Sequence, residues 1–161
     1  MVQFGHVLRT TKEVGGNVCT FRSLLEYRWA VWCQLRKERG IILEWWFEDP
    51  ECLLELETKK FKNKKLYLPD FTILTPDGKY ELEETKGYFP PKDYTKLYLA
   101  TQQFDAPITL IFASLNDHSK NSKIRAQYAR AKKLEPHLKR IIWKADRDIF
   151  RPIKHLFEEL K

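Results

Sequence analysis

The chain has little that could staple it or hold a soft metal. Its 161 residues include only three cysteines, Cys19, Cys33 and Cys52, odd in number and widely scattered. None is spaced as a zinc ligand pair, so the thiols read as reduced and packed rather than as a disulfide framework. Four dispersed histidines argue against a zinc site in the same way. No apolar run approaches the roughly 20 residues needed to cross a bilayer. The opening MVQFGHVLRT lacks the apolar core of a secretory signal. We see no internal repeat and no low-complexity linker. These absences lead us to expect a cytoplasmic protein with no membrane association.

What is present is charge and hydrophobic surface in globular proportions. Hydrophobic residues make up 43% and charged residues 32%, enough for one soluble domain with a real core. The net charge is +7, from 29 basic and 22 acidic residues. Its distribution matters more than its total. Lys59, Lys60, Lys62, Lys64 and Lys65 form one basic group. Lys120, Lys123, Arg125, Arg130, Lys132, Lys133, Lys139, Arg140 and Lys144 form another, opposed there only by Glu135. The acids gather instead in 44–57 and 81–84. Solvated surface is one reading of such runs. The asymmetry favours a polyanionic partner, with basic residues holding phosphates around an acidic centre.

The order of elements follows from period and punctuation. Residues 1–19, with Gly15-Gly16, read as a loose arm, leaving 20–161 as the domain. Thr20 or Ser23 caps a helix to about Arg39, with Leu25, Trp29, Trp32 and Leu35 or Arg36 as its buried stripe and Gly40 as its stop. Ile41 to Glu48 reads as a buried strand, and 52–58 as a second, short one. Pro90-Pro91 opens a helix over 93–104, Ile108 to Ala113 is a central strand, and 119–134 is a basic helix. Residues 140–144 fit strand or helix, and a last helix covers 147–160 through Ile149, Ile153, Leu156 and Leu160. The order α-β-β-β-α-β, followed by further helices, predicts an α/β fold with a mixed sheet between helices.

The most informative stretch is YLPDFTILTPDGKYELEETKGYF, residues 67–89. Two apolar-patterned runs flank Thr75-Pro76-Asp77-Gly78, the residues of a type I turn, so the stretch reads as a β-hairpin. Side chains alternate along a strand, which places Tyr80, Leu82, Glu84 and Lys86 on one face and Glu81, Glu83 and Thr85 on the other. Glu84 and Lys86 then stand roughly 6–7 Å apart, with Asp70 level with them on the partner strand. Pro69 suits a bulge or an edge, and Gly87 lets backbone come close to a ligand. Two acids and a lysine converging on one spot can hold a hard divalent cation and act on a phosphate. A cross-strand salt-bridge cluster is the simpler alternative, but it must gather carboxylates with no cation between them.

Pro69-Asp70 with Glu84-Thr85-Lys86 resembles the motif of the PD-(D/E)XK nuclease superfamily. The resemblance extends to FRSLLEYRWA (21–30) and EWWFEDPECLLEL (44–56), and covers about residues 20–113 in order. Together these pieces are similar to small phage and bacterial endonuclease-like proteins. The resemblance implies a restriction-endonuclease-like three-layer core and a Mg²⁺-dependent endonuclease that hydrolyses phosphodiester bonds in branched, replicating or host DNA, with Mn²⁺ able to substitute. The host cytoplasm is the compartment if the chain is phage-encoded. Asp70, Glu84 and the backbone carbonyl of Thr85 are the implied metal ligands; Lys86 either orients the attacking water, with or without taking its proton, or stabilises the transition state by charge, the role we prefer. Glu26 is the implied fourth acid. Ser23-Leu-Leu-Glu26 is also a capping box, and we prefer the metal role. Glu48 reads as a solvated turn acid. Tyr88, Phe89 and Tyr94 suit stacking on an unpaired base, although core packing is the preferred reading. The phosphate-binding set is Lys59, Lys60, Lys62, Lys64, Lys65, Lys120, Lys123, Arg125, Arg130, Lys132 and Lys133. A non-catalytic DNA-binding subunit or recruitment module is the alternative function. An RNA substrate, a homodimer and a place in a larger DNA-processing complex all fit the same residues.

Overall fold

A computed structural model describes residues 7–59 and 65–157. Lys60, Lys62 and Lys64 of the expected phosphate-binding set lie outside the described residues, as does Leu160.

The described residues open on a hairpin, so 7–19 of the expected loose arm are paired strand and turn. Strand β1 (Val7–Val14) pairs antiparallel with β2 (Asn17–Ser23). Gly15 and Gly16 sit between them at φ 59° and 84°. Positive φ at both central residues is what a tight type I′ hairpin turn requires, so the glycines set the turn instead of loosening the chain.

Helix α1 (Leu24–Glu38) follows at once. Ser23 is its N-cap, accepting the Glu26 N–H on Oγ at 3.1 Å. It stops at Gly40, φ 72°, where the Ile41 N–H returns to the Arg36 carbonyl at 2.9 Å. Its span is as expected, and its buried face in part: Trp29 and Arg36 of the expected stripe are buried. Glu26, Tyr27, Trp29, Ala30, Cys33 and Arg36 are buried, while Leu25, Trp32 and Leu35 are only partly covered. Arg36 and Trp29 turn inward to a carboxylate on the sheet, and Glu26, Tyr27, Ala30 and Cys33 complete the face in place of Leu25 and Trp32.

That sheet has five strands in the order β3-β6-β7-β8-β9. β3 (Glu44–Phe47) is shorter than the expected 41–48 and pairs antiparallel with β6 (Phe71–Leu74). β6 pairs antiparallel with β7 (Tyr80–Lys86). The expected turn joins them, with the Gly78 N–H on the Thr75 carbonyl at 2.9 Å and Gly78 at φ 80°. β8 (Ile108–Phe112) and β9 (Arg140–Ile142) extend the sheet in parallel. Helices α2 (Pro91–Gln103) and α3 (Ser122–Leu134) make the two crossovers that parallel pairing demands. A separate pair, β4 (Leu54–Leu56) and β5 (Lys65–Tyr67), stands beside α2.

Helices cover both faces. Trp29, Ala30 and Cys33 of α1 pack on Trp45, Phe71, Ile73 and Ile111. Leu97 and Ala100 of α2, with Ala131 and Leu134 of α3, pack on Leu82, Ile108, Leu110 and Phe112. Full burial of each large side chain contributes about 1.5–3 kcal/mol. Within the five-strand sheet the expected α-β-β-β-α-β order is α1-β3-β6-β7-α2-β8, with the separate pair β4-β5 inserted between β3 and β6, and the fold is mixed α/β. The last expected helix is corrected. Asp146–Phe150 is a wide π turn and Arg151–Leu156 a 3₁₀ segment interrupted at Ile153, with Pro152 depriving the run of an amide donor. Among the described residues, no helix is long and apolar enough to cross a membrane.

Candidate metal centre

β7 carries different chemistry on its two faces. On the α1 side, Glu83 is buried and accepts from Arg36 Nη1 at 2.9 Å, Arg36 Nη2 at 2.6 Å and Trp29 Nε1 at 2.9 Å. This anchor fixes the strand. On the other side, Glu84 and Lys86 open into a cleft of about 1080 Å³, whose lining also includes Arg22, Glu26, Glu48, Asp70 and Asp93.

Asp70 joins the hairpin strands at the cleft. Its Oδ2 accepts from the Thr85 N–H at 2.9 Å and the Thr85 hydroxyl at 2.8 Å. Its own N–H points to Glu84 Oε2 at 3.3 Å. Glu84 Oε2 also accepts from the Tyr67 hydroxyl at 2.7 Å, which fixes the carboxylate from β5. Lys86 Nζ lies 3.5 Å from Glu84 Oε1 and 3.2 Å from Asp93 Oδ2. The expected triad is therefore brought together.

Glu26 arrives from the first turn of α1. Its Oε1 accepts the Arg22 backbone N–H at 2.7 Å, while its own N–H is capped by Ser23. The helix cap and a place in the acid cluster are thus both realised. Glu48 joins too, against the expectation of a solvated turn acid. It follows β3 at φ 46°, a left-handed conformation that costs a non-glycine residue roughly 1–2 kcal/mol. Its N–H donates to the Asp70 carbonyl at 2.8 Å, continuing the β3–β6 ladder past its end. Oxygens of Glu26, Glu48 and Asp70 all lie within 4.8 Å of one another. Glu84 stands beside this group rather than in it.

The electrostatics are those of a site short of positive charge. Burial pushes the Glu26 carboxyl up, and Asp70 adds to it against the pull of Arg22. Burial likewise raises Asp70, opposed by its Thr85 hydrogen bonds, Lys86 and Arg22. Glu48 is raised by burial and Asp70 despite Arg22. Glu84 is pushed up to about 8, by burial first and Asp70 second. Burial pulls Lys86 down, but Glu84, Asp93 and Asp70 together more than compensate and keep it an ammonium. Four carboxyls shifted in one direction, with hard oxygen donors converging, fit a hard divalent cation.

The expected phosphate contacts divide. Lys65 stands with Lys92 and Lys96, close enough that Lys92 above all lowers its pKa, and Lys96 lines the cleft. On α3 several cations serve the fold. Arg130 donates to the Phe89 carbonyl, Arg125 to the Ser119 carbonyl, and Lys132 to Glu135. Lys133 lies over the Tyr94 ring at 5.6 Å. Phe89 is core, whereas Tyr88 is exposed at the cleft.

Sequence reasoning missed Arg22, Glu48, Tyr67, Lys92 and Lys96. Tyr67 and the two lysines carry no motif of their own. Arg22 could have been found from Gly15-Gly16 between runs rich in Val and Thr, a hairpin signal that brings β2 to α1. Comparison of the chain with family models, with curated proteins and with solved structures gives no match, so the geometry of this cleft carries the functional reading.

Proposed function

We propose that the chain is a metal-dependent endodeoxyribonuclease with a restriction-endonuclease-like core of the PD-(D/E)XK kind. The observation that carries this reading is the meeting of Asp70, Glu84 and Lys86 in one cleft with two further acids, all four carboxyls pushed upward. Support for the core comes from three antiparallel strands extended by two parallel ones, with α1 before them and α2 crossing over.

Asp70, Glu26 and Glu48 would hold the ion, with Glu84, paired to Lys86, beside them and the Thr85 carbonyl as a further oxygen. A bound Mg²⁺ or Mn²⁺ would lower the pKa of water and neutralise charge on the phosphate. Tyr67 and the Asp70 N–H keep Glu84 oriented. Lys86, charged and held by Glu84 and Asp93, offsets negative charge that builds on the phosphate as it is attacked. Lys65, Lys92 and Lys96 take the flanking phosphates.

Incubation with plasmid and branched DNA, in Mg²⁺ or in EDTA, tests the reading. Cutting should require the ion and fall about 10²–10³-fold or more in Asp70→Ala and in Lys86→Ala. Both variants should keep the wild-type far-UV spectrum. Undiminished cutting by both would refute the assignment. Mn²⁺ binding without any cleavage would favour a non-catalytic DNA-binding module.

A further inference from the structure

Arg22 lies near the end of β2, and its guanidinium reaches into the acid cluster. Its Nη2 is 3.3 Å from Glu26 Oε2, 3.7 Å from Asp70 Oδ1, and hydrogen-bonded to Glu48 Oε1. One nitrogen therefore touches the three carboxylates that form the candidate cation seat. An ion bound by those oxygens, at about 2.0–2.6 Å from each, would need the same space. Two cations cannot share it, for steric and electrostatic reasons alike.

Arg22 is also built to leave. Its side chain is 58% exposed, whereas Arg36, which anchors Glu83, is 8% exposed. Its backbone N–H holds Glu26 Oε1 independently of the guanidinium, so the acid stays aimed when the side chain moves. We propose that Arg22 is a resident counter-cation that occupies the metal seat and must withdraw before a divalent ion loads. This inference rests on the metal-site reading above. It makes Arg22 a competitor of the metal and a stabiliser of the metal-free chain, not a ligand-orienting residue.

Calorimetric titration with MnCl₂ separates the two roles. A seat filled by Arg22 about nine-tenths of the time lowers apparent Mn²⁺ affinity about tenfold. Arg22→Gln should therefore bind Mn²⁺ on the order of tenfold more tightly than wild type, and Arg22→Lys, which keeps the charge, should lie nearer wild type. In chelator, Arg22→Gln should melt below wild type, and its rise in melting temperature on adding Mn²⁺ should be the larger. Equal or weaker Mn²⁺ affinity in a folded Arg22→Gln chain overturns the proposal while leaving the metal site standing. Asp70→Asn supplies the blank. Should wild type and Arg22→Gln both match that blank, the metal reading fails and this inference falls with it. Binding by Arg22→Gln alone would support both.

Discussion

Glu84 shows how much a single side chain can be asked to tolerate. Burial, then Asp70, holds its carboxyl at about 8, against Lys86, the Tyr67 hydroxyl and the Asp70 N–H. In the unfolded chain it titrates near its ordinary 4.5. Between those values the folded chain keeps a proton that the unfolded chain has lost. Raising the pH across that window therefore removes stability, at up to about 1.4 kcal/mol per pH unit from this group. Below the window its contribution is complete. In chelator, urea unfolding of wild type and Glu84→Gln should give curves that diverge from about pH 5 to about pH 7.5, wild type losing ground as pH rises. Parallel curves would mean that Glu84 is already ionised in the folded chain. Glu48 carries a different load at the same scale, a backbone held in the left-handed region so that its acid meets Glu26 and Asp70.

At the scale of elements, α1 and β7 are joined by the Arg36–Glu83 pair. Removing one partner strands the other charge in the core. Arg36→Met should lower unfolding free energy by about 3–5 kcal/mol, and the double change with Glu83→Leu should recover much of the loss. Guanidinium denaturation of the three chains measures both effects, and a mild loss in the single variant would show that water already reaches Glu83. The same pair explains where sequence reading stopped. The span of α1 was legible because Ser23 and Gly40 are local signals, and the β6–β7 hairpin because its turn and its alternation are. Of the buried face of α1 only Trp29 was fixed; the choice of Arg36 over Leu35 was left open, because the partner that draws Arg36 inward lies 47 residues away. The N-terminal hairpin is hidden when Gly15-Gly16 is weighed as flexibility and the alternation beside it is passed over. Asp70, Glu84 and Lys86 were legible as neighbours, since one short-range hairpin carries them, whereas Glu26 was placed beside them by the family resemblance alone. Glu48 was not, since nothing in Phe47-Glu48-Asp49 announces a positive φ at a glutamate.

Across the whole molecule, a net charge of +7 is less telling than where it stands. Lys65, Lys92 and Lys96 crowd together near the cleft, while Lys132 on α3 is spent on Glu135. Lys92→Ala with Lys96→Ala should weaken DNA binding and flatten the dependence of log affinity on log salt by about 1.8, near 0.9 for each phosphate no longer neutralised. Lys132→Ala should leave that slope close to wild type. Fluorescence anisotropy over a salt series distinguishes them, and equal slopes in all three chains would count against the proposed nucleic-acid path along the cleft. Finally, Glu83 and its neighbour Glu84 serve opposite halves of the molecule, one bonded to Trp29 and Arg36, the other to Tyr67. Inserting or deleting one residue between Lys79 and Glu83 would turn each to the opposite face of β7: an insertion carries the anchor to the cleft position, and a deletion carries the cleft acid against the Trp29 indole. Such a lesion should disrupt the core and the cleft together, so length changes in this hairpin should be tolerated only at the Thr75–Gly78 tip.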